Sequence, residues 1–274
     1  MIYTLIKIKQ RILEKIPAHF KAHRRVIKDP PGVLLPPPEI RAYVGSADNF
    51  FEIGNEFLGF FKSKCDLKPD ESVLDVGCGI GRMAIPLTFY MNNGGRYEGF
   101  DVVKRGIMWC QNNISPRYPN FRFHHSDIRN KQYNPAGKLS AGEYRFPFED
   151  SSFDLVFLTS VFTHMVPMDM EHYFMEIARV LKKSGRCLIT FFLLNPESLD
   201  LVKSGNGTQP FKHGFGPYQV VKKNNPEAAI AYEEAYINEC YKKNGMNIKT
   251  IYYGSWCGRG DYLSYQDIII AQKL

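Results

Sequence analysis

The chain has 274 residues, 44% of them hydrophobic, which is enough for one large α/β domain with embellishments and short for two. Its longest apolar runs, such as CLITFFLL at 187–194, fall far below the roughly 18 to 20 residues of a membrane-spanning helix, and no apolar leader with a small-residue cleavage site is visible. The net charge of +7 sits in residues 1–28, which hold eight Lys or Arg and one acid, Glu14, so the rest of the chain is neutral and no strongly basic groove is expected across it.

Within that basic segment Ile2, Leu5, Ile6, Ile12, Leu13 and Ile16 recur among cations at helical spacing, which predicts a short amphipathic helix ending at Pro17. It suits either peripheral contact with an anionic membrane or a solvated leader. DPPGVLLPPPEI at 29–40 predicts an extended linker, because proline fixes φ and removes backbone donors. Residues 1–41 are therefore expected to be a tail and linker, and 42–274 the folded domain. The six cysteines, Cys65, Cys78, Cys110, Cys187, Cys240 and Cys257, form no CxxC pair, which favours reduced thiols over a disulfide frame or a zinc site. A cytoplasmic location, peripheral to a membrane if the tail binds one, and no metal are the matching expectations.

Phe50, Ile53, Gly54, Phe57, Leu58 and Phe61 make the stripe of a helix with one buried face, with Ser46 or Asp48 as its cap. Strict alternation follows: SVLDVG as a strand, 81–92 as a helix, RYEGFD as a strand, 104–114 as a helix, FRFHHSD as a strand. FDLVFLT at 153–159 and CLITFFLL are nearly continuous in apolar residues, as expected of parallel strands covered on both faces. Between them Tyr173, Phe174, Ile177, Ala178 and Leu181 mark a helix ending at Ser184 and Gly185, and a further helix is predicted from Asn225 and Pro226 to near Gly245. NIKTIYYGSW and YQDIIIAQKL are joined too closely for a helical crossover, so this last pair should be antiparallel. Residues 128–150 and 195–224 lack periodicity and read as cap-like loops over a site.

The first strand breaks into SVLDVGCGIGRM, with Gly77, Gly79 and Gly81 at alternate positions. Ligands of such sheets bind at the carboxyl ends of the strands, where a turn without Cβ atoms lets the backbone approach closely. A dinucleotide-binding turn spaces its glycines G-x-G-x-x-G, so the third glycine here comes one residue early. Asp75 would also set an anion beside the pyrophosphate such a turn holds, whereas it suits a ligand with an ammonium or a sulfonium.

The run D-x-G-C-G-x-G after a strand resembles motif I of the class I S-adenosylmethionine-dependent methyltransferases, and GFD, HHSDI, FDLVFLTSVFTHM and ARVLKKSGRCLITFF resemble the family's later segments in the right order. The resemblance covers about residues 45–274. It implies a doubly wound, mostly parallel seven-stranded α/β sheet of order 3-2-1-4-5-7-6, with strand 7 antiparallel and helices on both faces. It implies S-adenosylmethionine as the cofactor, held by Asp75, Gly77, Cys78, Gly79, Gly81 and Thr159. Asp101 with Val102 would meet the ribose, and Asp127 with Ile128 the adenine.

By the same analogy His164 is the candidate base for a hydroxyl acceptor. Tyr133 and Asn134 in the first long loop, and His213 and Tyr218 in the second, are candidate acceptor contacts. The expected function is methyl transfer to O or N of a small or saccharide-like acceptor. TSVF stands where the amino-methylating DNA and protein-glutamine enzymes carry an N/D-P-P-Y/F tetrapeptide, and no nucleic-acid module is recognisable, so a nucleic-acid partner is not expected. A NAD(P)-dependent oxidoreductase and a non-catalytic binding module are the competing readings.

Overall fold

The structure is a computed structural model that describes residues 32–41, 44 and 49–274. The amphipathic segment of the basic tail and the proposed caps Ser46 and Asp48 lie outside the described residues.

Helix α1 (Phe50–Lys64) is followed by β1 (Ser72–Val76), a short α2 (Ala84–Leu87), β2 (Arg96–Asp101), α3 (Lys104–Asn113), β3 (Phe121–His125) and β4 (Phe153–Leu158). Then come α4 (Pro167–Val180), β5 (Leu181–Phe191), β6 (Leu193–Leu194), α5 (Pro196–Lys203), β7 (His213–Gly214), β8 (Tyr218–Val220), β9 (Ile230–Glu233), α6 (Glu234–Lys243), β10 (Met246–Tyr252) and β11 (Asp267–Lys273). The main sheet runs β10-β11-β5-β4-β1-β2-β3. Counting β10 and β11 as strands 6 and 7, this is the expected order, and β11 lies antiparallel to both its neighbours. The remaining pairings are parallel.

Successive residues of each strand serve opposite faces, so one sheet anchors two cores. Leu74, Val156 and Ile189 pack with Phe174 and Ile177 of α4 and Tyr241 of α6. Their neighbours Val73, Leu155, Phe157 and Leu188 pack with Phe57 and Phe61 of α1 and Ile107 of α3. Phe61 stacks on Phe157 with ring centroids 4.3 Å apart, and each such buried ring stabilises the fold by about 1.5 to 3 kcal/mol.

Several expectations need correction. The segment 29–40 is not extended throughout, because Pro38–Arg41 forms a helical turn in which Ile40 and Arg41 are buried, and Val33, Leu34 and Leu35 pack against the second core. The helix expected over 81–92 shrinks to Ala84–Leu87. Pro86 brings no N–H, and the chain closes with three-residue turns, Phe89 N–H to Pro86 O and Tyr90 N–H to Leu87 O.

The helix ending at Ser184 and Gly185 in fact ends at Val180, and Lys182–Gly185 loop out of the β4–β5 pairing, whose register jumps from Phe153↔Leu181 to Leu155↔Arg186. The helix expected from Asn225 starts only at Glu234. Residues 195–224 are not an irregular loop. They contain α5, closed by a capping box in which the Asn195 side chain accepts from Ser198 N–H, and two strands of a second sheet ordered β6-β9-β8-β7. That small sheet is tied to the loop between β4 and α4 by Tyr232, whose hydroxyl donates to the Met165 carbonyl.

Candidate active site

The parallel register sets Asp75, Gly99 and Phe123 side by side, so β1, β2 and β3 end at one level. Gly77 and Cys78 donate their N–H groups to the Phe100 carbonyl at 2.9 and 3.0 Å, which folds the chain back over β2 as it leaves β1. Gly77, Gly79 and Gly81 have φ of 81°, 58° and 80°, a region that side chains disfavour. A Cβ on Gly77 would lie 2.4 Å from Val161 Cγ2, so the turn passes directly under the loop after β4.

Asp101 ends β2 with its carboxylate turned to the turn. Oδ2 accepts Gly79 N–H at 2.8 Å and Oδ1 accepts Val103 N–H at 2.7 Å, and burial raises its pKa. Asp75 is 1% exposed; Oδ2 accepts the Tyr97 hydroxyl at 2.7 Å, while Oδ1 is buried without a partner. Burial pushes its pKa up to about 8, opposed by that hydrogen bond.

These groups line a cavity of about 350 Å³. Of the residues expected at the cofactor, Asp75, Gly77, Cys78, Gly79, Asp101, Val102, Ile128 and Thr159 line it. Gly81 and Asp127 do not. Gly81 sits under the turn, where a Cβ would meet Ile114 Cδ1 at 2.9 Å and Cys110 Sγ at 3.1 Å. Asp127 braces the following loop, its Oδ1 accepting from Asn134 Nδ2 at 3.1 Å and its carbonyl accepting from Lys138 and Leu139.

Of the acceptor candidates, Tyr133 and His164 line the cavity together. The Tyr133 hydroxyl is 3.3 Å from His164 Nε2, and burial pushes its pKa to about 12. His164 Nδ1 is 2.8 Å from the Glu227 carbonyl. A carbonyl only accepts, so Nδ1 carries the hydrogen, and in the neutral tautomer Nε2 is the nitrogen that can accept a proton. Asn134 faces Asp127 and the Ile128 carbonyl instead. His213 and Tyr218 stand on the β7–β8 pair, away from the cavity lining; Tyr218 packs between Phe215 and Tyr232.

The sequence reading missed Arg82, Asn130, Asp169 and Glu227, all of which line the cavity. Asp169 comes from the first turn of α4 and its pKa is raised by burial and by the nearby Glu227. Gly106 was missed as well: a Cβ there would stand 2.6 Å from the Gly79 carbonyl, so α3 leans directly on the glycine turn. Among the described residues no group of three or more His, Cys, Asp or Glu is placed to hold a metal ion.

The fold is that of the class I S-adenosylmethionine-dependent methyltransferases, and within it residues 74–189 match the family described as "Methyltransferase domain". The cradle fits that cofactor on its own terms: glycines where a Cβ would collide, and a buried acid with one oxygen unspent.

Over 146 residues the chain is 31% identical to phosphoethanolamine N-methyltransferase 2 of Caenorhabditis elegans, covering 53% of this chain and 29% of that protein. Over 138 residues it is 29% identical to 27-O-demethylrifamycin SV methyltransferase of Amycolatopsis mediterranei (strain S699), covering 49% and 43%. The chain thus spans less than half the length of either curated relative. The crystal structure of magnesium protoporphyrin IX methyltransferase from Synechocystis PCC 6803 with bound SAH superposes with a TM-score of 0.52 at 17% identity, covering 94% of this chain and 95% of that one, which shows the shared fold.

Proposed function

We propose that the protein is a methyltransferase that passes the methyl group of S-adenosylmethionine to an oxygen or nitrogen of a small or saccharide-like acceptor. The observation that carries this reading is a single cavity lined both by the glycine turn with Asp75 and Asp101 and by the Tyr133–His164 pair. The cofactor, when bound, supplies a methyl group activated by a sulfonium. Asp101 keeps lone pairs beyond those spent on Gly79 and Val103 and would accept the ribose hydroxyls.

Methyl displacement needs donor and acceptor held in line in a dry pocket, so most of the protein's work is positioning. For a hydroxyl acceptor, His164 Nε2 would take the departing proton, with the ring oriented by Glu227. Asp169 and Glu227 at the same end favour acceptors that present hydrogen-bond donors or a cation, such as sugars and amines. The two curated relatives carry N- and O-methyltransferase chemistry in their names, consistent with either atom here.

Calorimetry with S-adenosylhomocysteine and with NAD tests the cofactor; binding of NAD alone would overturn the reading. Labelled S-adenosylmethionine against panels of amines, sugars and phenols then identifies the acceptor. Product binding without turnover on any panel would favour a non-catalytic module. For residues 1–28 we propose peripheral contact with anionic membrane, at the cytoplasmic side; equal flotation of full-length and truncated protein on anionic vesicles would exclude it.

A further inference from the structure

Two polar atoms in the cavity residues are buried with no partner, and they belong to groups of opposite sign. Asp75 Oδ1 is one and Arg82 Nε is the other. Arg82 leaves the glycine turn one residue after Gly81. Its Nη1 donates to the Val44 carbonyl at 2.9 Å, and it makes no ion pair among the described residues. Burial lowers its pKa to about 10, so it is cationic at neutral pH.

A folded chain seldom leaves a guanidinium donor and a carboxyl oxygen both buried and unspent, because each forfeits its hydration for nothing. The arrangement makes physical sense if one ligand brings a cation to Asp75 and an anion to Arg82. We propose, building on the cofactor reading above, that Arg82 is the carboxylate clamp for the amino-acid end of S-adenosylmethionine, so that Asp75 and Arg82 together recognise its zwitterion. With Nη1 committed to Val44, the Nε–Nη2 edge is the one that faces a carboxylate, and a guanidinium edge matches two carboxylate oxygens as an ammonium does not. The same residue therefore couples the backbone at Val44, which also lines the cavity, to cofactor binding.

The competing role for Arg82 is to pin Val44 and nothing more. Calorimetry on the full chain separates the two with three ligands: S-adenosylhomocysteine, its decarboxylated analogue, which keeps the amine, and 5′-methylthioadenosine, which lacks both groups. The native protein should prefer S-adenosylhomocysteine over the decarboxylated analogue by about tenfold or more. Arg82→Met should erase that preference while leaving affinity for the other two ligands within about twofold, and Arg82→Lys should restore part of it. Equal weakening of all three ligands by Arg82→Met would overturn the clamp in favour of pinning, as would a native protein indifferent to the carboxylate. Circular dichroism and thermal melts of both variants establish that each is folded. If the native protein bound none of the three, the cofactor reading itself would fail; if it bound all three and Arg82→Met changed nothing, only the clamp would.

Discussion

The Tyr97 hydroxyl donates to Asp75 Oδ2 across 2.7 Å, bridging adjacent strands β2 and β1 in the interior. Gly99 makes room for it, since a Cβ there would stand 3.0 Å from that hydroxyl. One hydrogen bond does not offset the burial of a carboxylate, hence the pKa of about 8. In the unfolded chain Asp75 ionises near pH 4. Between about pH 4 and pH 8 the folded protein therefore holds a proton that the unfolded one has lost, and stability falls as pH rises through that window. Asp75→Asn should flatten the slope and melt higher than the native protein at pH 8, with the advantage vanishing near pH 4. Identical pH–melting curves for the two proteins would show that Asp75 is not the source.

The same proton links to ligand binding. An ammonium placed against Asp75 favours its ionised form, so binding S-adenosylhomocysteine below pH 8 should release a proton. Affinity should rise with pH and level off near pH 8. Calorimetry in buffers of differing ionisation enthalpy at pH 7 reads the release directly; its absence, or its survival in Asp75→Asn, would assign the proton elsewhere.

Much of the architecture was legible because β1, β4, β5 and β11 carry apolar runs bounded by turn residues, a pattern that burial on both faces of a sheet imposes. The small sheet was not. Its strands β7 and β8 are two and three residues long, too short to show alternation, and they form only because β9 pairs with β8 and Tyr232 reaches the Met165 carbonyl. Asn225 and Pro226 carry helix-start chemistry, but they open a single turn, and the buried Ile230, Ala231 and Tyr232 belong to β9.

The cofactor side of the cavity was readable from one contiguous motif. The acceptor side was readable only in part: Tyr133 and His164 were legible, but Asp169 and Glu227 were not, because they are brought to the cavity from distant segments by tertiary packing alone. His213 and Tyr218 misled for the same reason: polar residues in a long segment carry no sign of which way a hairpin will face.

Gly106 illustrates a requirement that sequence does not announce. A Cβ there would meet the Gly79 carbonyl at 2.6 Å and Ile80 Cγ2 at 2.7 Å, both on the cofactor turn. Gly106→Ala should push α3 off the turn, costing about 1 to 3 kcal/mol of stability and weakening S-adenosylhomocysteine binding together. Gly59, on α1, has open space around its Cβ position. Gly59→Ala should raise stability by about 0.5 to 1 kcal/mol through helix propensity alone and leave binding unchanged. Thermal melts with calorimetry check both; two substitutions of the same sign would refute the packing argument.

Asp101 has two tasks that one substitution can separate. It holds Gly79 and Val103 through their N–H groups and presents its remaining lone pairs to the cavity. Asp101→Ala removes both, and should lower melting temperature and reduce S-adenosylhomocysteine affinity by about 1.5 to 3 kcal/mol. Asp101→Asn keeps an acceptor for one backbone donor, so most of the stability should return while affinity stays low. Full recovery of affinity in Asp101→Asn would mean that the charge is not used by the ligand.

In the cavity lining, the edge-to-face contact of Tyr133 and His164, with centroids 5.3 Å apart at 86°, separates packing from proton transfer. Tyr133→Phe keeps the ring against the imidazole and removes only the hydroxyl that meets Nε2. His164→Gln removes the base yet can still hydrogen-bond the Glu227 carbonyl through its amide. With a hydroxyl acceptor, His164→Gln should lower kcat by about 10² to 10⁴ and leave S-adenosylhomocysteine affinity within about twofold, whereas Tyr133→Phe should change kcat far less. A loss of cofactor affinity equal to the loss of rate would instead make His164 a residue that holds the cavity's shape. With an amine acceptor that reacts as the free base, the proton leaves after the methyl has arrived. His164→Gln should then cost little in kcat at high pH and most near neutrality, so the pH–rate profile of this one variant also distinguishes the atom methylated.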